Sequence, residues 1–135
     1  MADTIQLEIV TPEKMVVNAV ATEVQIPGKS GMLGILPGHA PLITELAVGE
    51  IAYRSEGALR RLSVAWGFAE VLPEKVTILA ETAERAEDID VARAQAAKQR
   101  AEEELHKAGP AGNSEADTAL KRASARIDVA SKGNA

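Results

Sequence analysis

The chain has 135 residues, of which 46% are hydrophobic and 26% are charged, and its formal net charge is −5 at pH 7. This composition predicts a folded globular protein, and the acidic balance argues against a protein that binds nucleic acid through the phosphates. Because the sequence contains no Cys and only two His, His39 and His106, it excludes disulfides and cysteine metal sites and argues against a metal centre.

Neither a membrane span nor a targeting segment is visible in the sequence. No apolar run reaches the roughly 18 residues that a bilayer-spanning helix needs. The first residues, Met-Ala-Asp-Thr-Ile-Gln, lack the basic and apolar regions of a signal peptide. We therefore expect a protein that faces the cytosol and does not insert into a membrane.

The composition changes near residue 80. Most Val and Ile residues, most Pro residues and the three aromatic residues Tyr53, Trp66 and Phe68 precede this point, whereas Ala dominates after it. Branched and aromatic side chains favour strands, and Ala favours helices. We therefore predict an all-β sandwich domain over residues 1–84 and an antiparallel α-helical hairpin over residues 85–135.

Several short strands are predicted in the first part of the chain. Residues 5–9 alternate apolar and polar side chains, and residues 20–26 repeat this period of two, so each segment is predicted as a strand. Residues 27–31, Pro-Gly-Lys-Ser-Gly, are predicted as a turn, because Gly tolerates the positive φ that tight turns require. Two hairpins follow, each recognised from a turn between two apolar segments: 51–54 with 59–65, and 65–71 with 76–80.

The segment from Gly28 to Leu42 has the highest density of Gly and Pro. It is not a phosphate-binding loop, because Gly28-Lys29-Ser30 lacks the upstream Gly and the following helix that such a loop requires. We interpret the segment as a set of tight turns in a β domain. No neighbouring motif marks His39 as catalytic, so we interpret it as a loop histidine with its hydrogen bonds satisfied.

Two helices are predicted in the second part. Asp88 is the predicted N-cap of the first helix, which ends at Gly109-Pro110, and Ser114 begins a capping box with Asp117 at the start of the second. Each helix carries one apolar stripe at intervals of three and four residues: Ala94, Ala97, Ala101, Leu105 and Ala108 on the first, and Ala116, Leu120, Ala123, Ile127 and Ala130 on the second.

The composition of these stripes bears on the strength of the hairpin. Burial of one methyl group contributes only about 0.8 kcal/mol, so a seam made mostly of Ala stabilises the helix pair weakly. The hairpin is therefore expected to open easily and to be a movable element. A permanently docked helix pair that caps the sandwich remains an equal alternative.

A family resemblance comes from residues 31–42. Their sequence, Gly-Met-Leu-Gly-Ile-Leu-Pro-Gly-His-Ala-Pro-Leu, resembles the Gly-x-x-Gly-x-x-Pro-Gly-His-Ala-Pro-Leu signature of the epsilon subunit of F-type ATP synthases. The signature loop contains Gly34, Pro37, Gly38 and His39. Further similar blocks lie at residues 10–13, 64–71, 76–83 and 89–94, in the family's order and over almost the whole chain.

The resemblance implies a non-catalytic rotor subunit of the central stalk, which couples proton flow through the membrane ring to ATP synthesis. In the family, the sandwich binds the gamma subunit and the ring of c subunits. The loop with Lys29, Ser30 and Met32 would face the c ring, although many relatives have an acidic residue where Met32 stands. The complex would place the chain on the cytoplasmic face of a bacterial plasma membrane.

The resemblance also implies two states of the hairpin. The helices either lie folded on the sandwich or extend along gamma to the alpha and beta subunits of the catalytic head, where they inhibit ATP hydrolysis. In the extended state, basic side chains of both helices, Arg93, Arg100, Arg122 and Arg126 among them, would face acidic surfaces of the head.

Residues 89–94, Ile-Asp-Val-Ala-Arg-Ala, resemble a motif with which some bacterial epsilon subunits bind ATP. Arginine guanidinium groups suit phosphate. The candidate ATP-binding residues are Asp90, Arg93, Ala94, Arg100, Arg122 and Arg126. We expect no required cofactor and no metal, with ATP as a regulatory ligand that is not hydrolysed.

Two other functions are weighed against this interpretation. The first is a free-standing β-sandwich module that binds a ligand and carries a helical cap. The second is an enzyme, which ranks last because the sequence shows no convergent acid, base or nucleophile.

Overall fold

The computed structural model describes residues 3–133, which form a β-sandwich followed by an antiparallel pair of α-helices, as predicted. The helices are α1 (Val91–Ala108) and α2 (Ser114–Lys132), and short 3₁₀ turns lie at Ala86–Asp88 and Gly109–Ala111. The strands are β1 (Ile5–Val10), β2 (Met15–Ala21), β3 (Glu23–Gly28), β4 (Gly31–Ile35), β5 (Leu42–Leu46), β6 (Gly49–Ser55), β7 (Ala58–Val71) and β8 (Lys75–Arg85).

Strand β7 belongs to both layers of the sandwich. Its first half, Ala58 to Val64, pairs with β6, and its second half, Gly67 to Val71, pairs with β5. Strand β8 pairs antiparallel with β7 and parallel with β1, which pairs with β2. Strand β3 pairs with β4 and β6 in the other layer. One layer therefore follows the order β2-β1-β8-β7-β5, and the other the order β4-β3-β6-β7.

The core lies between these layers and follows the predicted alternation. In β1, Ile5, Leu7 and Ile9 are fully buried, while Gln6 and Glu8 between them are only partly covered. Branched side chains from the facing strands complete the core, among them Ile26, Ile51 and Ile78. The alternating apolar residues of the first part of the chain are therefore the ones that fill the core between the two layers.

Residues 20–26 are not one strand, so this prediction was wrong. The strand breaks at Thr22, because β2 pairs with β1 in one layer and β3 pairs with β4 and β6 in the other. Val20 is consequently 52% exposed, whereas Val24 and Ile26 are buried. The predicted turn over 27–31 is also shorter, since only Lys29 and Ser30 lie between β3 and β4.

The two strands predicted at 59–65 and 65–71 form the single strand β7. The ladder with β8 is interrupted at Trp66 and Glu81, and the backbone there departs from the extended conformation, with φ of 48° at Trp66 and 129° at Gly67. The interruption lies where β7 exchanges β6 for β5 as its partner. It also directs the Trp66 side chain toward the helices, as described below.

Neither helix is long and apolar enough to cross a membrane within the part of the chain that the structure describes.

Candidate functional site

Helix α2 lies against the sandwich, and α1 packs on α2. Helix α2 contacts β6, β7 and the 3₁₀ turn Ala86–Asp88. Val129 is completely buried there in a small apolar cluster with Ala86 and Ile89, and Ala130 packs on its edge. This cluster lies beside the connection between β8 and α1, and it holds the C-terminal end of α2 on the sandwich.

Polar contacts add to this apolar cluster. Arg126 Nε lies 3.0 Å from Glu84 Oε1 on β8, and Lys132 Nζ lies 3.3 Å from Glu50 Oε1 on β6. Arg61 Nη1 on β7 donates a hydrogen bond of 2.7 Å to the carbonyl oxygen of Gly133. Partly exposed ion pairs contribute little individually, about 0–1 kcal/mol each. The helix pair is therefore docked by several modest contacts and not by one strong one.

Arg122 makes a further contact between α2 and β7. Its guanidinium carbon lies 5.6 Å from the centre of the Trp66 ring, within the range of a cation–π interaction. The left-handed backbone of Trp66 is uncommon for a bulky residue, and such conformations concentrate at functional sites. The strain at Trp66 and the docking of α2 thus occur at the same residue.

The seam between α1 and α2 is made of Ala, as the sequence predicts. Ala94 and Ala101 of α1, and Ala116 and Ala123 of α2, are buried, whereas the other members of the two stripes are partly exposed. Small side chains allow the helices to approach closely but bury little apolar area. The expected weakness therefore applies to the seam, while the contacts of α2 with the sandwich are a separate source of stability.

The residues that cap the helices differ from the prediction. Asp90, not Asp88, is the N-cap of α1, and its carboxylate accepts a hydrogen bond of 3.1 Å from the Arg93 backbone N–H. Asp88 instead ends the preceding 3₁₀ turn. Asn113, not Ser114, caps α2 through a 3.1 Å bond from the Ala116 backbone N–H.

The structure brings together three of the six candidate ATP-binding residues. Arg100 of α1 and Arg122 and Arg126 of α2 line an open groove between the helices, here called the arginine groove. The carboxylates of Glu103, Glu104 and Glu115 line the same groove, so its positive charge is offset. An anion bound there would face cations and carboxylates together.

The other three candidates do not line that groove. Asp90 and Arg93 lie at the start of α1, where the Asp90 carboxylate caps the helix. Ala94 is only 2% exposed and faces the helix seam, so its side chain has little surface to offer a ligand.

A second cavity, of about 180 Å³, lies between α2 and the sandwich. Arg122 and Arg126 line it as well, together with Lys14, Ser63 and Glu84. Glu84 and Glu50 were not predicted as functional residues, since solvent-facing Glu residues in strands carry no distinguishing sequence pattern. Trp66 belongs to a block that resembles the family, and a Gly following it inside a strand signals an irregularity there.

The loop predicted to face the c ring lies at the β3–β4 turn. Lys29 and Ser30 are exposed, and Met32 is 60% exposed. Lys29 Nζ lies 3.0 Å from Glu45 Oε2 on β5. The loop therefore presents an apolar side chain beside an exposed ion pair.

The signature loop is held by backbone hydrogen bonds. The Gly38 N–H donates to the carbonyl oxygen of Pro73 at 2.8 Å, and the His39 N–H donates to that of Leu36 at 3.1 Å. The His39 ring Nδ1 lies 2.7 Å from the carbonyl oxygen of Ala40. Gly34 is exposed on β4, and Pro37 is half-buried. These hydrogen bonds fix the conformation of the loop, and the His39 ring takes part in one of them.

An apolar patch covers the outward face of three neighbouring strands. Ile43 on β5, Phe68 on β7 and Leu79 on β8 are 71%, 53% and 54% exposed. Phe68 and Leu79 are paired across the ladder, and Ile43 is paired with Glu70 on β7. Exposed clusters of large apolar residues mark surfaces that bind other proteins. We call these three residues the outer apolar patch.

Among residues 3–133, the side chains of Tyr53 and Lys132 have a shifted pKa. Burial raises the pKa of the Tyr53 phenol, although Arg85 and Arg60 act in the opposite direction. Hydrogen bonds to Asp128 and Glu50 raise the pKa of the Lys132 amine. Neither shift lies at a group that could act as an acid or base near neutral pH. Over residues 3–133, no three His, Cys, Asp or Glu side chains are arranged to hold a metal ion.

Family models match almost the whole chain. Residues 4–86 match the model of the ATP synthase delta/epsilon chain β-sandwich domain, and residues 87–131 match that of the long α-helix domain. The chain is 68% identical to the ATP synthase epsilon chain of Koribacter versatilis over 82% of this chain and 78% of that one. It is 46% identical to the epsilon chain of Geotalea uraniireducens over 98% and 97% of the two chains.

Solved structures show the same fold. A chain of the Euglena gracilis mitochondrial ATP synthase, solved with OSCP, F1 and the c-ring, matches with a TM-score of 0.82 and 22% identity, over 96% of this chain and 82% of that one. A chain of the central stalk and c-ring of the Tetrahymena thermophila mitochondrial enzyme matches with a TM-score of 0.59 and 13% identity, over 93% and 96%.

Proposed function

Because this chain belongs to the ATP synthase delta/epsilon chain family, we propose that it is a non-catalytic rotor subunit of the central stalk of an F-type ATP synthase. It couples proton flow through the membrane ring to ATP synthesis in the catalytic head. Through that complex it lies peripherally on the cytoplasmic face of a bacterial plasma membrane. The proposal rests on the outer apolar patch, because a cluster of large apolar side chains exposed to water is typical of a surface that binds another protein.

We assign this patch to the gamma subunit. Ile43, Phe68 and Leu79 lie on adjacent strands of one layer, so they form a rigid surface that a helical stalk protein can cover. The loop of Lys29, Ser30 and Met32 is assigned to the c ring. Its exposed Met32 suggests that this contact is partly apolar, in contrast to the acidic contact expected from many relatives.

The hairpin is proposed to regulate hydrolysis. In the docked arrangement α2 covers the sandwich, and its contacts with Trp66, Glu84 and Glu50 are modest enough to be exchanged for others. When extended, the helices would bring their basic side chains to the alpha and beta subunits and block rotation in the hydrolysis direction. ATP is a regulatory ligand in this proposal, bound in the arginine groove, and is not a required cofactor.

A reconstitution with gamma, the alpha and beta subunits and the c ring tests the stalk role. The full-length chain should co-purify with gamma, and Phe68→Glu combined with Leu79→Glu should abolish this association. Val20→Glu is the matched control, because Val20 is equally exposed but lies on the edge strand β2. A chain that runs alone would instead favour a free-standing ligand-binding module with a helical cap.

The inhibitory role is tested separately in the same complex. Removal of residues 86–135 should raise the rate of ATP hydrolysis while gamma binding persists. Unchanged hydrolysis would contradict inhibition by the hairpin and leave the stalk role standing.

A further inference from the structure

A cavity of about 120 Å³ opens between β2 and the paired strands β6 and β7. Tyr53 on β6 lines it, together with three basic side chains, Arg60 and Arg61 on β7 and Arg85 at the end of β8. Among the described residues around the cavity, Glu87 carries the one negative charge, so it offsets only part of the positive charge. The lining is therefore positive, in a chain whose formal net charge is −5. We call it the Tyr53 cavity.

Tyr53 is buried, yet its hydroxyl has no protein partner. The residue is only 6% exposed and packs in the core of the sandwich. Within residues 3–133 the hydroxyl makes no hydrogen bond, although the polar groups of buried side chains normally make at least one. Because Tyr53 lines the cavity, a group bound in the cavity can satisfy this hydroxyl.

Two of the arginines have hydrogen-bonding capacity left for a ligand. Arg60 stands directly opposite Tyr53 in the β6–β7 ladder, so both side chains lie on the same face of the sheet. Arg60 makes no hydrogen bond or ion pair with the described part of the chain. Arg85 donates from Nε and Nη2 to the carbonyl oxygen of Val16, which holds its guanidinium in place and leaves Nη1 to donate elsewhere.

Charge and protonation both favour an anion in this cavity. Burial raises the pKa of the Tyr53 phenol, and the charges of Arg85 and Arg60 oppose that increase, so both cations lie close enough to act on the phenol. The phenol therefore keeps its proton near neutral pH and can donate a hydrogen bond. Water alone would satisfy the hydroxyl but would leave two positive charges near each other, whereas an anion stabilises both.

The size of the cavity limits the kind of anion. Its volume of about 120 Å³ is about four times what one water molecule occupies in the liquid. A tetrahedral oxyanion fits this space, and its several oxygen atoms can accept hydrogen bonds from Tyr53, Arg60 and Arg85 at once. The cavity cannot enclose a nucleoside, since pockets that bury molecules of that size have about 300 Å³ or more.

We propose that the Tyr53 cavity binds a phosphate group, as the free ion or as the end of a small phosphate monoester, through the Tyr53 hydroxyl and the guanidinium groups of Arg60 and Arg85. The cavity shares no residue with the outer apolar patch, the β3–β4 loop or the arginine groove. The inference goes beyond the stalk function proposed above and does not depend on it.

The experiment uses the full-length chain, in which Tyr53 is the one Tyr of the sequence. Isotope-labelled tyrosine therefore gives a single NMR signal at the proposed site. Inorganic phosphate is titrated against NaCl of matched ionic strength, and we expect a saturable shift of this signal with a Kd of about 1 mM. Glycerol phosphate is titrated separately. Weaker binding than that of inorganic phosphate supports a site for the free ion, and equal or tighter binding supports a site for a monoester.

Arg60→Gln and Tyr53→Phe are the informative variants, because neither removes a hydrogen bond within the described part of the protein. Calorimetry measures phosphate affinity in both. Arg60→Gln should weaken binding roughly tenfold, and Tyr53→Phe, which keeps the ring, roughly threefold to tenfold. Arg54→Gln is the matched control. It removes the same charge next to Tyr53 on β6, but Arg54 pairs with Glu23 at 3.3 Å and does not line the cavity, so affinity should change less than about twofold.

Three results would overturn the proposal. A phosphate titration with no saturable effect beyond that of NaCl would assign the cavity to water. Binding by Arg60→Gln no weaker than that by Arg54→Gln would show that phosphate responds to the net charge of the protein or binds elsewhere. Acetate that binds as tightly as phosphate would exclude selection of a tetrahedral oxyanion. Failure of the chain to bind gamma would remove the stalk role without changing these results.

Discussion

Gly67 lies directly against the backbone of Leu79. A methyl group in place of a Gly67 hydrogen would lie 1.9 Å from the Leu79 carbonyl oxygen and 2.9 Å from the Cα atom of Ala80. Gly67 also has φ of 129°, a conformation that side chains rarely adopt. The close approach of β7 to β8 beside Trp66 therefore requires Gly at this position.

Gly67→Ala is expected to lower the free energy of unfolding by about 3 kcal/mol or more, since the backbone clash adds to the strain of the positive φ. Gly57→Ala, in the β6–β7 turn, is the matched control because it has φ of 78° but no atom within 4 Å. It should cost only about 1–2 kcal/mol. Urea denaturation measures both variants, and equal losses would contradict the contact between the strands.

The N-caps of the hairpin predict a second set of effects. Asp90→Ala and Asn113→Ala should each destabilise their helix by about 1 kcal/mol, because each removes the acceptor for a backbone N–H of the first turn. Asp88→Ala should change stability by less than about 0.5 kcal/mol. Amide hydrogen exchange of α1 and α2 measures these changes, and faster exchange in Asp88→Ala than in Asp90→Ala would refute the assigned cap.

Val129→Ala tests the apolar part of hairpin docking. Val129 is fully buried against Ala86 and Ile89, so its truncation should weaken docking by about 2 kcal/mol. Val91→Ala at the start of α1 is the control, since Val91 is 40% exposed. Energy transfer between two dyes, one attached to a Cys introduced into the sandwich and one to a Cys introduced into α1, measures the fraction of chains with the hairpin docked. A similar response of the two variants would show that the cluster does not hold α2.

Two raised pKa values predict that stability declines at alkaline pH. The pKa of Tyr53 is raised by burial, and that of Lys132 is raised by hydrogen bonds to Asp128 and Glu50. A raised pKa in the folded state gives stability that is complete below the unfolded pKa and is lost as pH rises through the folded pKa. The free energy of unfolding should therefore fall above about pH 10.

Tyr53→Phe separates the two contributions, because it removes the phenol and keeps the ring. Its stability should decline less between about pH 10 and pH 11 than that of the wild type. Denaturant titrations at several pH values provide the measurement, and a decline as steep as that of the wild type would exclude Tyr53 as a cause.

The sequence by itself determined the fold class and the Ala-rich seam, because both depend on patterns that repeat along the chain. The alternation of Ile5, Leu7 and Ile9 predicts a half-buried strand wherever its partner lies, and Ala94 with Ala101 predicts a helix face. The family signature at residues 31–42 is equally local. Each of these features lies within a short segment, so it can be predicted without knowing which residues are its neighbours in space.

Only the tertiary structure decided how the two parts meet. The break at Thr22 depends on which strands pair, and the choice of Asp90 over Asp88 depends on where the 3₁₀ turn ends. The pairing of Arg126 with Glu84, and of Arg122 with Trp66, joins residues far apart in sequence. Such contacts produce no periodic pattern in the sequence. The sequence around an exposed Arg or Glu is the same whether or not a partner side chain lies near it in the folded protein.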